Sequence, residues 1–107
     1  MQRTLDLPPL QEAIAHSRGT VRLASSDPED APLIDPNYWA EPHDRKMSIA
    51  GLKIAREIMQ QAALKPFVMA ERLPGPDMMS DEDLFEYGCA NAKTDHHPVG
   101  TCKMGTG

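Results

Sequence analysis

The residues able to do chemistry crowd into one stretch of the 107-residue chain: His96-His97-Pro98-Val99-Gly100-Thr101-Cys102-Lys103-Met104-Gly105. An imidazole titrates near ~6.5, so at neutral pH it can take a proton from a hydroxyl group and return it later. Pro98 biases the backbone of His97 toward an extended conformation. Gly100 permits close approach of another group. Together these would hold a base rigidly; a loop that has merely collected polar residues is the plain alternative. Cys102 beside Lys103 suggests an activated thiol, because a nearby cation lowers a thiol pKa. Adjacent residues of an extended segment point to opposite faces, however, so packing is the expected role of Cys102. Cys89, His96, His97 and Cys102 are zinc-type ligands, but no C-x-x-C occurs and neighbouring histidines rarely reach one ion, so no metal site is expected. His16 and His43 belong to no constellation in the sequence and read as surface or capping residues.

The elements that must position this stretch are short. Thr20-Val21-Arg22-Leu23-Ala24 alternates in polarity and predicts a half-buried strand. Leu33-Ile34-Asp35 predicts a second one, stopped by Pro36. A helix is expected over 42–63: Pro42 suits the first helical position, and Asp44 sits in the first turn, where the helix dipole favours an acid. Its core-facing stripe is read as Met47, Ala50, Ile54, Ile58 and Ala62, widened by Leu52, Ala55 and Met59. Ser80 before Asp81, Glu82 and Asp83 predicts an N-cap and a second helix to about 93, burying Leu84, Phe85, Gly88 and Ala92. Residues 96–107 read as a turn or strand beside a site. The fold class is therefore α+β, part of an antiparallel sheet packed with two helices and, having no closing element after Gly107, an incomplete domain.

Composition narrows the functions. The formal net charge is −5, which argues against nucleic acid or anionic lipid as a partner, since both need clustered Lys and Arg. No apolar run approaches the ~20 residues of a membrane span. The first twenty residues lack the apolar core and cleavage site of a secretory signal. Two cysteines are too few for a disulfide framework, so free thiols and a reducing, cytoplasmic setting are expected. Methionines at helical spacing are expected to fill core.

The run from His97 to Gly105 resembles a signature near the C-terminus of glucose–methanol–choline (GMC) flavoprotein oxidoreductases, particularly the choline-dehydrogenase-like branch. Ser17-Arg18-Gly19-Thr20-Val21-Arg22-Leu23 and Pro32-Leu33-Ile34-Asp35-Pro36-Asn37-Tyr38 resemble two upstream segments of that family, in the same order. The resemblance covers residues 17–107 and identifies them as a partial substrate-binding (C-terminal) domain; residues 1–16 are unassigned. It implies an FAD-dependent alcohol dehydrogenase or oxidase in the full-length protein, oxidising a CH–OH group by hydride transfer to flavin. It implies His97 as the catalytic base, and gives His96 no role. The glycines here do not form G-x-G-x-x-G, so no cofactor-binding residue is expected, and the isolated chain should be inactive. Implied partners are a small-molecule alcohol and the missing FAD-binding domain, with self-association of the fragment through exposed apolar surface. The competing expectation is a small non-enzymatic interaction module that docks a partner through the helix 42–63.

Overall fold

The computed structural model describes residues 3–6, 15–94, 96 and 98–105. In chain order they form β1 (Arg3–Asp6), β2 (Thr20–Arg22), β3 (Leu33–Asp35), α1 (Pro42–Met59), a 3-10 turn (Lys65–Phe67), β4 (Val68–Leu73) and α2 (Asp81–Asn91).

 The architecture is α+β, with two helices and two separate strand pairs. No helix among the described residues is long and apolar enough to cross a membrane.

β2 and β3 pair antiparallel, with Val21 opposite Ile34. The pairing needs Gly19: a Cβ there would overlap the Asp35 carbonyl and lie 2.7 Å from that of Pro36. The expected half-buried strand over 20–24 is shorter than predicted and is not half-buried. Val21 is 53% and Leu23 84% exposed, because a two-stranded ladder has two faces and, among the described residues, neither is covered deeply enough to bury a side chain. The second pair, β1 with β4, is parallel and irregular, with register shifts after Arg3 and after Leu5. Neither of its strands was expected from the sequence.

α1 ends at Met59, four residues before the predicted boundary. Its hydrogen bonds tighten there, with Gln61 N–H donating to Ile58 O at 3.2 Å and Leu64 N–H to Gln61 O at 2.9 Å. The turn brings β4 back along the helix so that Glu71 meets Arg56. Nε and Nη2 of Arg56 donate to the two carboxylate oxygens at 2.8 and 2.7 Å, and the guanidinium also reaches the carbonyls of Gly75 and Met78. Arg56, outside the predicted apolar stripe, is thus half-buried in a bidentate pair.

The core lies between the helices: Leu52, Leu84 and Tyr87 are buried, with Ile49, Ala55, Met59 and Met78 packed around them. This shifts the predicted face of α1 onto Leu52, Ala55 and Met59, the residues expected only to widen the stripe. Residues 49, 52, 55 and 59 line the covered side, while Met47, Ile54 and Ile58, turned away from it at 100° per residue, are 44–53% exposed. The helix is apolar on two sides, and periodicity alone does not say which is covered. In α2 the capping box is present: Ser80 Oγ accepts from Asp83 N–H at 3.0 Å and Ser80 N–H donates to Asp83 at 3.1 Å. Leu84 and Gly88 are buried as expected, but Phe85 is half-buried, Ala92 is exposed, and Tyr87 takes the place in the core. Phe85 instead meets Trp39 edge-on, ring centroids 5.7 Å apart, beneath the Arg45 guanidinium. The methionines divide similarly: Met59 and Met78 pack on the core, whereas Met69, Met79 and Met104 are at least 62% exposed.

The two faces of α1 make a direct test. Leu84→Ala should destabilise the chain by about 2–5 kcal/mol, as a core truncation does. Ile54→Ala on the bare face should change stability by no more than about 0.5 kcal/mol. Urea unfolding followed by circular dichroism measures both, and equal losses would contradict the assignment.

Candidate active-site segment and a histidine pair

The segment carrying the reactive residues leaves the end of α2. Ala92, the C-cap, turns extended (ψ 140°) while its N–H still donates to Gly88 O at 2.8 Å. His96 has a left-handed backbone (φ 64°), and its N–H donates to Thr94 Oγ1 at 3.0 Å. His97, the expected base, lies outside the described residues. Beyond it, Lys103 N–H donates to Gly100 O at 3.3 Å, closing a turn over Thr101 and Cys102. Gly100 adopts φ 104° with open space where a Cβ would sit, so backbone conformation accounts for the glycine here and close approach does not. Every described residue from 92 to 105 is exposed. That corrects the expectation for Cys102, which is exposed and not packed; Cys89 is exposed too, and both are free thiols.

A second cluster was not expected. The rings of His16 and His43 stack with centroids 4.1 Å apart and planes 13° from parallel. Beside them Asp44 is 3% exposed. Its Oδ1 accepts from His16 N–H at 2.8 Å and its Oδ2 from Ser17 N–H at 2.7 Å. Ser17 Oγ in turn accepts from Glu41 N–H at 3.1 Å, just before the helix begins. These bonds fasten the segment before β2 to the first turn of α1. Hydrogen bonds from the Ser17 side chain and the His16 backbone hold the Asp44 carboxyl down from 3.8 to about 2, against the opposing effect of burial. Among the described residues, His16, His43 and Asp44 are the group able to converge on a metal ion, with ligand atoms within 4.8 Å of one another; Cys89, His96 and Cys102 form no such group. The first-turn acid was legible in the sequence. Its tie to residues 16 and 17, 28 and 27 positions away, was not.

Because the folded pKa of Asp44 is depressed, its contribution to stability is present above pH 3.8 and is lost as the pH falls toward about 2. Asp44→Asn should remove that dependence and speed amide exchange at His16 and Ser17. Hydrogen exchange resolved by residue reports it, and unchanged protection at both amides would sink this account of the tether.

Comparison with known proteins adds the wider setting. The family model described as GMC oxidoreductase matches residues 15–107. The chain is 43% identical over 94 residues to an alcohol dehydrogenase (acceptor) of Pseudomonas putida, covering 88% of this chain and 17% of that protein. It is 44% identical over 93 residues to a choline oxidase of Arthrobacter globiformis, covering 85% of this chain and 17% of the relative. It is 44% identical over 90 residues to an oxygen-dependent choline dehydrogenase of Pseudomonas syringae pv. syringae, covering 84% and 16%. The chain therefore spans about one-sixth of the length of the curated relatives it matches.

Proposed function

The chain belongs to the GMC oxidoreductase family, and from that premise we propose that it forms part of the substrate-binding domain of an FAD-dependent alcohol oxidoreductase in which His97 is the base. What carries the reading is the run from His97 to Gly105, which lies within the matched span and whose described part stands exposed on a glycine-set turn. The substrate class is a small alcohol, and choline, named for two of the relatives, is the first to try.

The described residues do not fit FAD by themselves. A helix N-terminus that cradles a pyrophosphate presents free N–H groups and no competing negative charge. Here α2 opens with Asp81, Glu82 and Asp83, and Asp44 stands in the first turn of α1. The flavin belongs to other parts of a longer enzyme in this proposal, and this chain contributes proton transfer and part of the substrate's surroundings. His97 accepts the hydroxyl proton, which leaves an alkoxide-like oxygen and weakens the neighbouring C–H bond. Pro98 limits the backbone on which the base stands. The bare apolar faces, Met47, Ile54 and Ile58 on α1 and Val21, Leu33 and Ile34 on the strands, are where the rest of the enzyme packs. The same bare face of α1 favours the second reading, a module that docks a partner protein.

In the full-length enzyme, His97→Ala should lower kcat by about 10²- to 10⁴-fold with flavin content unchanged. Steady-state oxidation of choline and the flavin absorbance test this together, and full turnover in the variant removes His97 from the mechanism. The 107-residue chain incubated with FAD and passed through a desalting column should emerge without flavin absorbance. A stable yellow complex would show that the chain holds the cofactor unaided.

A further inference from the structure

We propose that His16, His43 and Asp44 form a binding site for a divalent transition metal ion of the zinc type, which clips the segment before β2 onto the first turn of α1. The ligand atoms of the three residues already lie within 4.8 Å of one another. Tetrahedral zinc, with bonds of ~2.0–2.2 Å, needs them about 3.3 Å apart. Both histidines are exposed, so small rotations of their side chains can close that gap without repacking a core. Imidazole coordinates through a nitrogen lone pair in the plane of its ring, so the two rings, brought within 4.1 Å of each other, would turn out of their stack to converge on one ion. Asp44 supplies the negative charge. Its two oxygens each accept one backbone N–H, and a carboxylate oxygen has a second lone pair for a metal. Those same N–H bonds fix the carboxylate's orientation, the service that outer partners give to metal ligands.

Two nitrogens and one oxygen suit zinc, nickel, copper or cobalt better than calcium or magnesium, which prefer all-oxygen shells. Three protein ligands leave at least one position for water. The site uses no residue of the proposed alcohol chemistry and stands or falls separately from it.

Calorimetric titration of the 107-residue chain with zinc chloride tests the proposal. One equivalent should bind, with affinity reduced at least about 10- to 100-fold in His16→Ala and in His43→Ala. Both side chains are exposed, so neither change removes core packing. Binding should survive Cys89→Ser with Cys102→Ser, and cobalt in place of zinc should give d–d bands without a thiolate charge-transfer band. No uptake by the unaltered chain, full affinity in the doubly substituted His16→Ala/His43→Ala chain, or a thiolate band would each overturn it.

Discussion

The Arg56–Glu71 pair is the interaction on which the arrangement of elements depends. One guanidinium joins α1 to β4 through two carboxylate bonds and to the following turn through the carbonyls of Gly75 and Met78. Glu71 Oε1 also accepts from Gly75 N–H at 3.2 Å, so acid and base hold the same turn from opposite ends. That turn delivers Ser80, the cap of α2, and α2 brings Leu84 and Tyr87 onto Leu52. An ion pair this sheltered contributes little net energy beyond an apolar pair of the same shape, but losing either partner strands a charge, which costs about 3–5 kcal/mol when burial is complete. It specifies which way β4 returns more than it stabilises the return.

What the sequence shows and what it hides divides along the distance over which each interaction acts. The N-cap at Ser80, the proline start of α1 and the strands at Thr20–Arg22 and Leu33–Asp35 rest on neighbours in sequence, and they were legible. β4 was not: Val68 to Leu73 contains Glu71 and Arg72, so its polarity does not mark a strand, and its partner β1 lies more than sixty positions away. The covered face of α1 was legible only in part, with Leu52, Ala55 and Met59 at the edge of the expected stripe, because the helix carries apolar residues around much of its girth and only the position of α2 picks among them. The histidine pair was invisible for the same reason. His16 and His43 meet because Asp44 binds the backbone at 16 and 17, a contact no local pattern encodes. The run from His97 to Gly105 was legible as a motif, while the geometry of its base lies outside the described residues.

The chain is open in shape. Its radius of gyration is 18.2 Å, against ~13 Å for a compact domain of this length, and among the described residues the hydrophobic core cluster has three buried members, Leu52, Leu84 and Tyr87. Exposed apolar side chains are common on any protein, but a whole helix face with Met47, Ile54 and Ile58, together with both strands of a ladder, is more than scatter. Such surfaces are explained by an association that covers them, and both functional readings require one.

The two readings differ in what that association must do for the exposed turn at Gly100. A docking module needs only the face of α1, and the backbone conformation of Gly100 and Gly105 would then serve nothing but the turn itself. A base needs more: an imidazole in open water meets its proton donor at random and has no fixed orientation toward it. Catalysis by a positioned base arises from enclosure and alignment, which convert an encounter into a geometry. The turn after α2 has the backbone restrictions for alignment in Pro98 and Gly100, and it lacks enclosure. Under the proposed alcohol chemistry, whatever covers the bare apolar faces would also have to wall in this turn, so one association would serve both packing and the alignment of the base.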